Sequence, residues 1–178
     1  MTPMNPLAPV RTSIRSFALV CVFYAWCASA SAQSPSQAPQ TVQWHAAISS
    51  AATLQPGQRS TIELTAQILD GWHVYGLKQH DKGPTELKFR VDDNPIVQPA
   101  GIPTGTDAIR RIDPGFGFEI QYYTDSLTLT LPIQVKQQAS AGKQQVPVSV
   151  RFQSCSDRTC LPPATIHLLV DLNVQPHV

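Results

Sequence analysis

A two-residue alternation of apolar side chains constrains this sequence more than any other feature. Four long runs carry an apolar residue at every second position: Thr61–Ile68, Leu127–Val135, Val146–Phe152 and Ile166–Val174. Alternation of this length is typical of strands with one buried face. Shorter strands are predicted at Val42–Ile48, Trp72–Tyr75, Leu87–Val91 and Ile96–Gln98. Because no stretch has a helical period, we expect an all-β fold, an immunoglobulin-like antiparallel β-sandwich.

The N-terminal segment, residues 1–32, is predicted to be a signal peptide. Arg11 and Arg15 precede a mostly apolar stretch, Ser16–Trp26, and Ala30–Ala32 has the small residues of a cleavage site. The apolar stretch has eleven residues, whereas a membrane-spanning helix needs about 20. We therefore expect export, with no membrane insertion after cleavage.

Cleavage removes two of the four cysteines, Cys21 and Cys27. Lipidation at either one is disfavoured, because neither follows the Leu-small-small pattern of lipoproteins. Cys155 and Cys160 remain, in an oxidising compartment. A polar, proline-rich tether over residues 33–41 is predicted to lead into one domain over residues 42–178.

The charge of the chain argues against nucleic acid as a partner. Thirteen Lys and Arg residues stand against twelve Asp and Glu residues, for a formal net charge of +1. Since Arg11 and Arg15 leave with the signal peptide, the mature chain has eleven basic and twelve acidic residues. Such a chain has no basic excess to neutralise phosphates.

One segment lacks the alternation. Pro99–Phe118 has four glycines and three prolines in twenty residues, and it is predicted to be a long irregular loop. Loops of this length are often functional. The segment also holds four apolar residues that a plain linker does not need: Ile109, Ile112, Phe116 and Phe118. We interpret it as a loop that covers something, with a disordered surface excursion as the alternative.

The remaining cysteines, Cys155 and Cys160, have two interpretations: a structural clip, or a disulfide that opens and closes. A disulfide that closes about six residues stabilises by only about 2 kcal/mol, against nearly 5 for a loop of about 100 residues. A domain of this size has little need of so local a clip. Zinc needs two further ligands, and no histidine is nearer in sequence than His167, so no metal site is expected.

The cysteine segment resembles a known family. Cys155-x4-Cys160 followed by Leu161-Pro162-Pro163, after the strand that ends at Gln153, is similar to the N-terminal periplasmic domain of the thiol:disulfide interchange protein DsbD. Gly71–Tyr75 and Tyr123–Pro132 fit the same family. The resemblance runs through roughly residues 42–174, which is nearly the whole mature chain.

The resemblance implies a redox function without a cofactor, in the periplasm of a Gram-negative bacterium. The cysteines would lie at one end of the sandwich, accept electrons from a thioredoxin-like domain or a membrane electron donor, and pass them to oxidised periplasmic proteins, in processes such as cytochrome c maturation. Cys160 would form the mixed disulfide with the partner, and Cys155 would resolve it. Because the sequence to Val178 holds no thioredoxin domain or membrane electron carrier, the electrons are expected to come from a separate protein.

The resemblance also implies supporting residues. A cap loop would shield the cysteines with Phe116, or alternatively Phe118, and Asp113 would contribute charge. Two positions beside the pair map to His73 and Tyr75. His73 has the chemistry of an acid or base near neutral pH, although a packed or solvent-facing histidine is at least an equal alternative. Tyr75 is interpreted first as a core residue, with a role beside the cysteines as the alternative.

The sequence departs from the family in ways that keep a rival hypothesis open. Pro114 and Gly115 interrupt the acidic, aromatic cap pattern, the cysteine spacing is one residue shorter, and His73 stands where a phenol can occur. The rival is a non-catalytic binding or assembly module on an immunoglobulin-like scaffold, with a permanent disulfide. Fold alone does not distinguish the two.

Overall fold

The computed structural model describes residues 40–49 and 53–176, and the regular secondary structure of these residues consists of β-strands. The predicted signal peptide and residues 33–39 of the tether lie outside the described residues. Within the described part of the chain, no helix has the length and apolarity needed to cross a membrane. The all-β prediction is confirmed.

Of the thirteen strands in the described residues, eight overlap the predicted ones. In chain order they are β1 (Val42–Ile48), β2 (Thr53–Leu54), β3 (Arg59–Ile68), β4 (Trp72–Tyr75), β5 (Lys88–Val91), β6 (Val97–Pro99), β7 (Thr104–Gly105), β8 (Ile109–Asp113), β9 (Phe118–Tyr123), β10 (Ser126–Val135), β11 (Gly142–Phe152), β12 (Ser154–Ser156) and β13 (Ala164–Val174).

Two large sheets form the sandwich. One has the order β1-β3-β10-β6 with β7 also paired to β10, and the other has the order β2-β13-β11-β5. Their inward residues share one apolar core, in which Ile62, Leu129 and Val148 have no solvent exposure. Burying these alternate side chains between the sheets is the main force that holds the domain together. The predicted immunoglobulin-like sandwich is confirmed.

A third sheet, which we call the end sheet, has the order β12-β4-β9-β8. β4 follows β3, and β12 follows β11 after one residue, so the end sheet continues from a strand of each large sheet. The buried hydroxyls of Thr41, just before β1, and Ser154 are 2.8 Å apart and tie the sheets together. The end sheet is therefore anchored to the sandwich.

The structure corrects the prediction that Pro99–Phe118 is one long irregular loop. It contains β7 and β8 and reaches the start of β9, and β8 and β9 pair from Ile109↔Tyr122 to Asp113↔Phe118. β8 lies at the edge of the end sheet and is largely exposed. Because neither of its faces is buried, no alternation marks it in the sequence.

Candidate functional site

The two cysteines face each other across a narrow turn. Cys155 lies in β12, Cys160 pairs with it as an isolated bridge, and the two form a disulfide with their Cα atoms 4.0 Å apart. Next to this pair, the Leu161 N–H donates to the Ser154 carbonyl at 3.0 Å. The backbone therefore holds the sulfurs together independently of the bond between them.

The turn itself is closed by Ser156. Its N–H donates to the Thr159 carbonyl at 2.8 Å, and its hydroxyl oxygen accepts from the N–H groups of Arg158 and Thr159 at 3.3 and 3.2 Å. Serine favours such turns because its side chain substitutes for a backbone acceptor. Pro162 and Pro163 have no N–H to continue the pairing.

The two cysteines differ sharply in exposure. Cys155 is only 1% exposed and packs in a small apolar cluster with Tyr75 and Ile120. Cys160 is exposed. A visiting molecule therefore reaches Cys160 and not Cys155.

The strand register brings the predicted residues together. In the end sheet, Cys155 lies opposite His73, Tyr75 lies opposite Tyr122, and Asp113 lies opposite Phe118. Direct partners in antiparallel strands, and alternate residues along each strand, project on the same side. One face of the end sheet, which we call the site face, carries Cys155, His73, Tyr75, Phe118, Ile120, Tyr122, Arg111 and Asp113.

Tyr75 lies next to the exposed cysteine. Its hydroxyl oxygen is 4.0 Å from the Cys160 Sγ, and the residue is 4% exposed. Burial raises the pKa of Tyr75 above its ordinary value, Asp113 raises it further, and Arg111 opposes them. The phenol therefore keeps its proton at neutral pH and is able to donate it in a hydrogen bond.

His73 is half-buried among aromatic rings. It makes edge contacts with Tyr75 and Tyr122, at centroid separations of 5.2 and 5.3 Å. The Arg111 guanidinium lies over the Tyr122 ring, 5.2 Å from its centre. His73 thus packs against two rings, and a cation lies over one of them.

The surroundings of His73 favour its neutral form. Burial lowers its pKa below the ordinary 6.5, and the positive charge of Arg111 lowers it further. The carboxylates of Asp157 and Asp113 act in the opposite direction, and their effects are smaller than that of burial. At neutral pH the imidazole is therefore uncharged.

The cap predicted from the sequence is the turn between β8 and β9. The Asp113 Oδ1 accepts from the N–H groups of Gly115 and Phe116 at 2.8 and 3.2 Å. The Gly117 N–H donates to the Asp113 carbonyl at 2.7 Å, with Gly117 at φ +76°, a conformation that favours glycine. Asp113 therefore holds the cap turn in shape besides contributing charge.

The two cap phenylalanines occupy different positions. Phe118 packs against the cluster that contains Cys155. Phe116 is 39% exposed and is not part of that cluster, with its ring centre 5.7 Å from that of Phe118. The shielding role of either residue stays a prediction, and the packing favours Phe118.

Sequence reasoning missed the loop over residues 76–87, which supports the cap. The His80 ring stacks on Phe118 at 4.4 Å between centres. The Gln79 side chain donates to the Gln121 carbonyl at 2.6 Å and so pins the loop to β9. Polar residues without periodicity give no signal of such contacts, since only the fold brings them to the site.

Gln153, between β11 and β12, also escaped sequence reasoning. Its side-chain oxygen accepts from the Thr85 N–H at 3.0 Å, and its side-chain nitrogen donates to the Leu161 carbonyl at 3.2 Å. This single amide joins the 76–87 loop to the residue after Cys160. It thereby fixes the exposed cysteine relative to the cap.

The fold and the site define a class of protein. Its members are all-β domains with a short-range disulfide at one end of the sandwich, in which one cysteine is buried and the other is exposed. The chain belongs to the family of the N-terminal domain of the thiol:disulfide interchange protein DsbD, whose family model matches residues 38–172. The family supports a thiol–disulfide exchange domain. No curated relative matches the chain in sequence.

Two solved structures are similar to parts of this chain. One is the N-terminal periplasmic domain of ScsB from Proteus mirabilis, 19% identical, with a TM-score of 0.35 over 74% of this chain and 45% of that one. Another is BcpA, the major pilin subunit of Bacillus cereus, 12% identical, with a TM-score of 0.35 over 74% of this chain and 40% of that one. The chain thus spans less than half the length of either.

Proposed function

We propose that the protein is a periplasmic thiol–disulfide exchange module. Electrons enter from a thioredoxin-like domain or a membrane donor and leave to oxidised periplasmic proteins, those of cytochrome c maturation among them. The single observation that supports this most is the asymmetry of the pair, with Cys160 exposed and Cys155 at 1% exposure. A static clip has no need of such an asymmetry, whereas exchange with a visiting protein needs one reachable sulfur.

Reduction of the module starts at Cys160. A thiolate of the donor attacks the Cys160 Sγ, a new sulfur–sulfur bond forms, and the Cys155–Cys160 bond breaks with its electron pair on Cys155. The donor's second thiolate then attacks the donor sulfur that is bonded to Cys160. This closes the donor's disulfide and releases Cys160 as a thiolate. Two electrons have moved, and both cysteines are reduced.

Transfer to a client runs the same steps in reverse. The Cys160 thiolate attacks one sulfur of the client disulfide, and the client's other sulfur leaves as a thiolate. Cys155 then loses its proton and attacks the Cys160 Sγ, which re-forms the internal disulfide and frees the client's second thiolate. The opposed positions of the two cysteines favour this closure, because the backbone holds them within reach.

Tyr75 assists the exposed sulfur in this proposal. Its phenol stays protonated because burial raises its pKa, and its oxygen is 4.0 Å from the Cys160 Sγ. A hydroxyl at this position donates to the thiolate that develops on Cys160 each time the sulfur is released. A hydrogen bond to the charged form stabilises that form.

The shield is assigned to Phe118, and a pair of matched variants tests the assignment. We expect Phe118→Ala to raise the rate at which iodoacetamide alkylates the reduced cysteines by roughly fivefold, since access limits thiol reactivity. Phe116→Ala removes an equally large ring that lies outside the cluster, so its rate is expected to stay within about twofold. A larger effect of Phe116→Ala would instead support the shield favoured by the sequence.

A redox titration separates the exchange module from the structural clip. The protein is equilibrated in dithiothreitol or glutathione buffers, and the reduced fraction is read by thiol alkylation after denaturation. Structural disulfides typically have potentials below about −300 mV, and exchanging ones have higher values. We expect the pair to titrate above this value, and a pair that stays oxidised below it would favour the clip.

A further inference from the structure

We propose that His73 accepts the proton of Cys155 when this cysteine attacks, and returns a proton to it when it leaves as a thiolate. The inference rests on the proposed function and adds to it the proton path of the buried sulfur. It starts from the register of the end sheet, in which His73 is the direct partner of Cys155. Side chains of direct antiparallel partners have Cβ atoms about 5 Å apart and share one face.

The buried position of Cys155 makes a local proton acceptor necessary. The residue is 1% exposed, and its apolar cluster contains Tyr75 and Ile120. A thiol attacks a disulfide as its thiolate, so the proton has to leave before or during the step. Solvent has almost no access to this sulfur, whereas Cys160 is exposed and exchanges its proton with water directly.

His73 connects the buried sulfur with solvent. It is half-buried, and its ring contacts Tyr75 and Tyr122, which belong to or pack against the cluster that holds Cys155. The groups that face it come from each neighbouring element: Tyr75 from its own strand β4, Tyr122 from β9, Arg111 and Asp113 from β8, and Asp157 from the cysteine turn. Among them Arg111 carries the positive charge. Like burial, it lowers the pKa of His73, so the imidazole stays neutral and is able to accept a proton.

The closing step then balances within the protein. The Cys155 S–H proton passes to the neutral imidazole, and the sulfur's electron pair forms the bond to the Cys160 Sγ. The bond between Cys160 and the client breaks, and its electron pair leaves on the client sulfur. The imidazolium then returns its proton to solvent, so that His73 is unchanged after each turnover. In the opening direction, the imidazole takes up a proton from solvent and passes it to the Cys155 thiolate.

Ellman's reagent resolves this step from the step at Cys160. The reduced protein releases one coloured thiolate when Cys160 attacks the reagent and a second when Cys155 closes the internal disulfide. We expect His73→Gln and His73→Phe to slow the second phase at least about tenfold at pH 7, because general acid–base groups typically contribute 10²–10⁴. The first phase should stay within about twofold, which shows that the site is still folded.

The pH profile distinguishes proton transfer from mere packing. In the unaltered protein the second phase slows as His73 becomes protonated below its lowered pKa, whereas His73→Phe, which keeps a ring against Tyr75 and Tyr122, loses this inflection. The matched control is His45→Gln, an exposed histidine in β1, which should change neither phase.

Three results overturn the inference: a second phase of His73→Gln within twofold of the unaltered protein, an inflection that survives in His73→Phe, or an equal slowing in His45→Gln. Failure of the proposed function is distinct, because the redox titration would then find the pair oxidised at potentials typical of structural disulfides, whatever the rate of the second phase.

Discussion

Cys160→Ser is expected to abolish electron exchange with glutathione disulfide or an oxidised protein. The variant keeps Cys155, but that residue is 1% exposed and packs in a cluster with Tyr75 and Ile120. A thiolate attacks along the axis of the bond that it breaks, so a buried sulfur cannot meet a disulfide carried by another chain. We expect the rate of thiol loss, followed by alkylation and mass spectrometry, to fall at least about 100-fold.

Loss of the disulfide also has a stability effect, and it has to be separated from the chemical one. Opening a loop of about six residues lowers the free energy of unfolding by about 2 kcal/mol in either single variant. Cys155→Ser is therefore the matched control for Cys160→Ser, since both lose the same bond and only one loses the exposed sulfur. If Cys160→Ser exchanges electrons at the rate of the unaltered protein, or the two variants behave alike, the asymmetric roles are wrong.

Cys155→Ser is expected to accumulate a mixed disulfide through Cys160. The exposed thiolate still attacks an incoming disulfide, but the serine hydroxyl cannot resolve the intermediate, because it is a far weaker nucleophile than a thiolate. The adduct with glutathione or an oxidised thioredoxin should persist on non-reducing gels. In the unaltered protein, Cys155 removes the same adduct.

The control for this trapping is the double variant Cys155→Ser with Cys160→Ser. It shares the surface and the stability loss but, when expressed without residues 1–32, has no thiol, so it should form no adduct. An adduct that turns over in Cys155→Ser as fast as in the unaltered protein would mean that Cys155 is not the resolving residue. The rival clip predicts that Cys155→Ser reacts no faster than any other exposed thiol and that partner binding survives Cys160→Ser.

The long strands of the two large sheets were predictable because one physical constraint acts on each of them. Strands such as β3 and β10 bury one face and expose the other, so apolar residues recur at every second position in their sequence. The same reasoning placed β1 and β4 at the bounds that the structure has. The end sheet was missed in part, since β12 has three residues and β8 is largely exposed.

The candidate site divides along similar lines. The cysteine pair, His73 and Tyr75 were singled out from the sequence and the family resemblance, and the register places His73 opposite Cys155. That register joins positions 82 residues apart, and nothing local in the sequence specifies it. The stacking of His80 on Phe118 likewise depends on where a nonperiodic loop comes to rest.

The most direct test of the central claim captures the intermediate in the unaltered protein. The reduced protein is mixed with oxidised thioredoxin, quenched with acid during the reaction and mapped by peptide mass spectrometry. We predict that the disulfides between the two proteins are carried by Cys160 and that they decay as the Cys155–Cys160 bond re-forms. Intermolecular bonds to Cys155, or re-formation with no bonded intermediate at any time, would contradict the account.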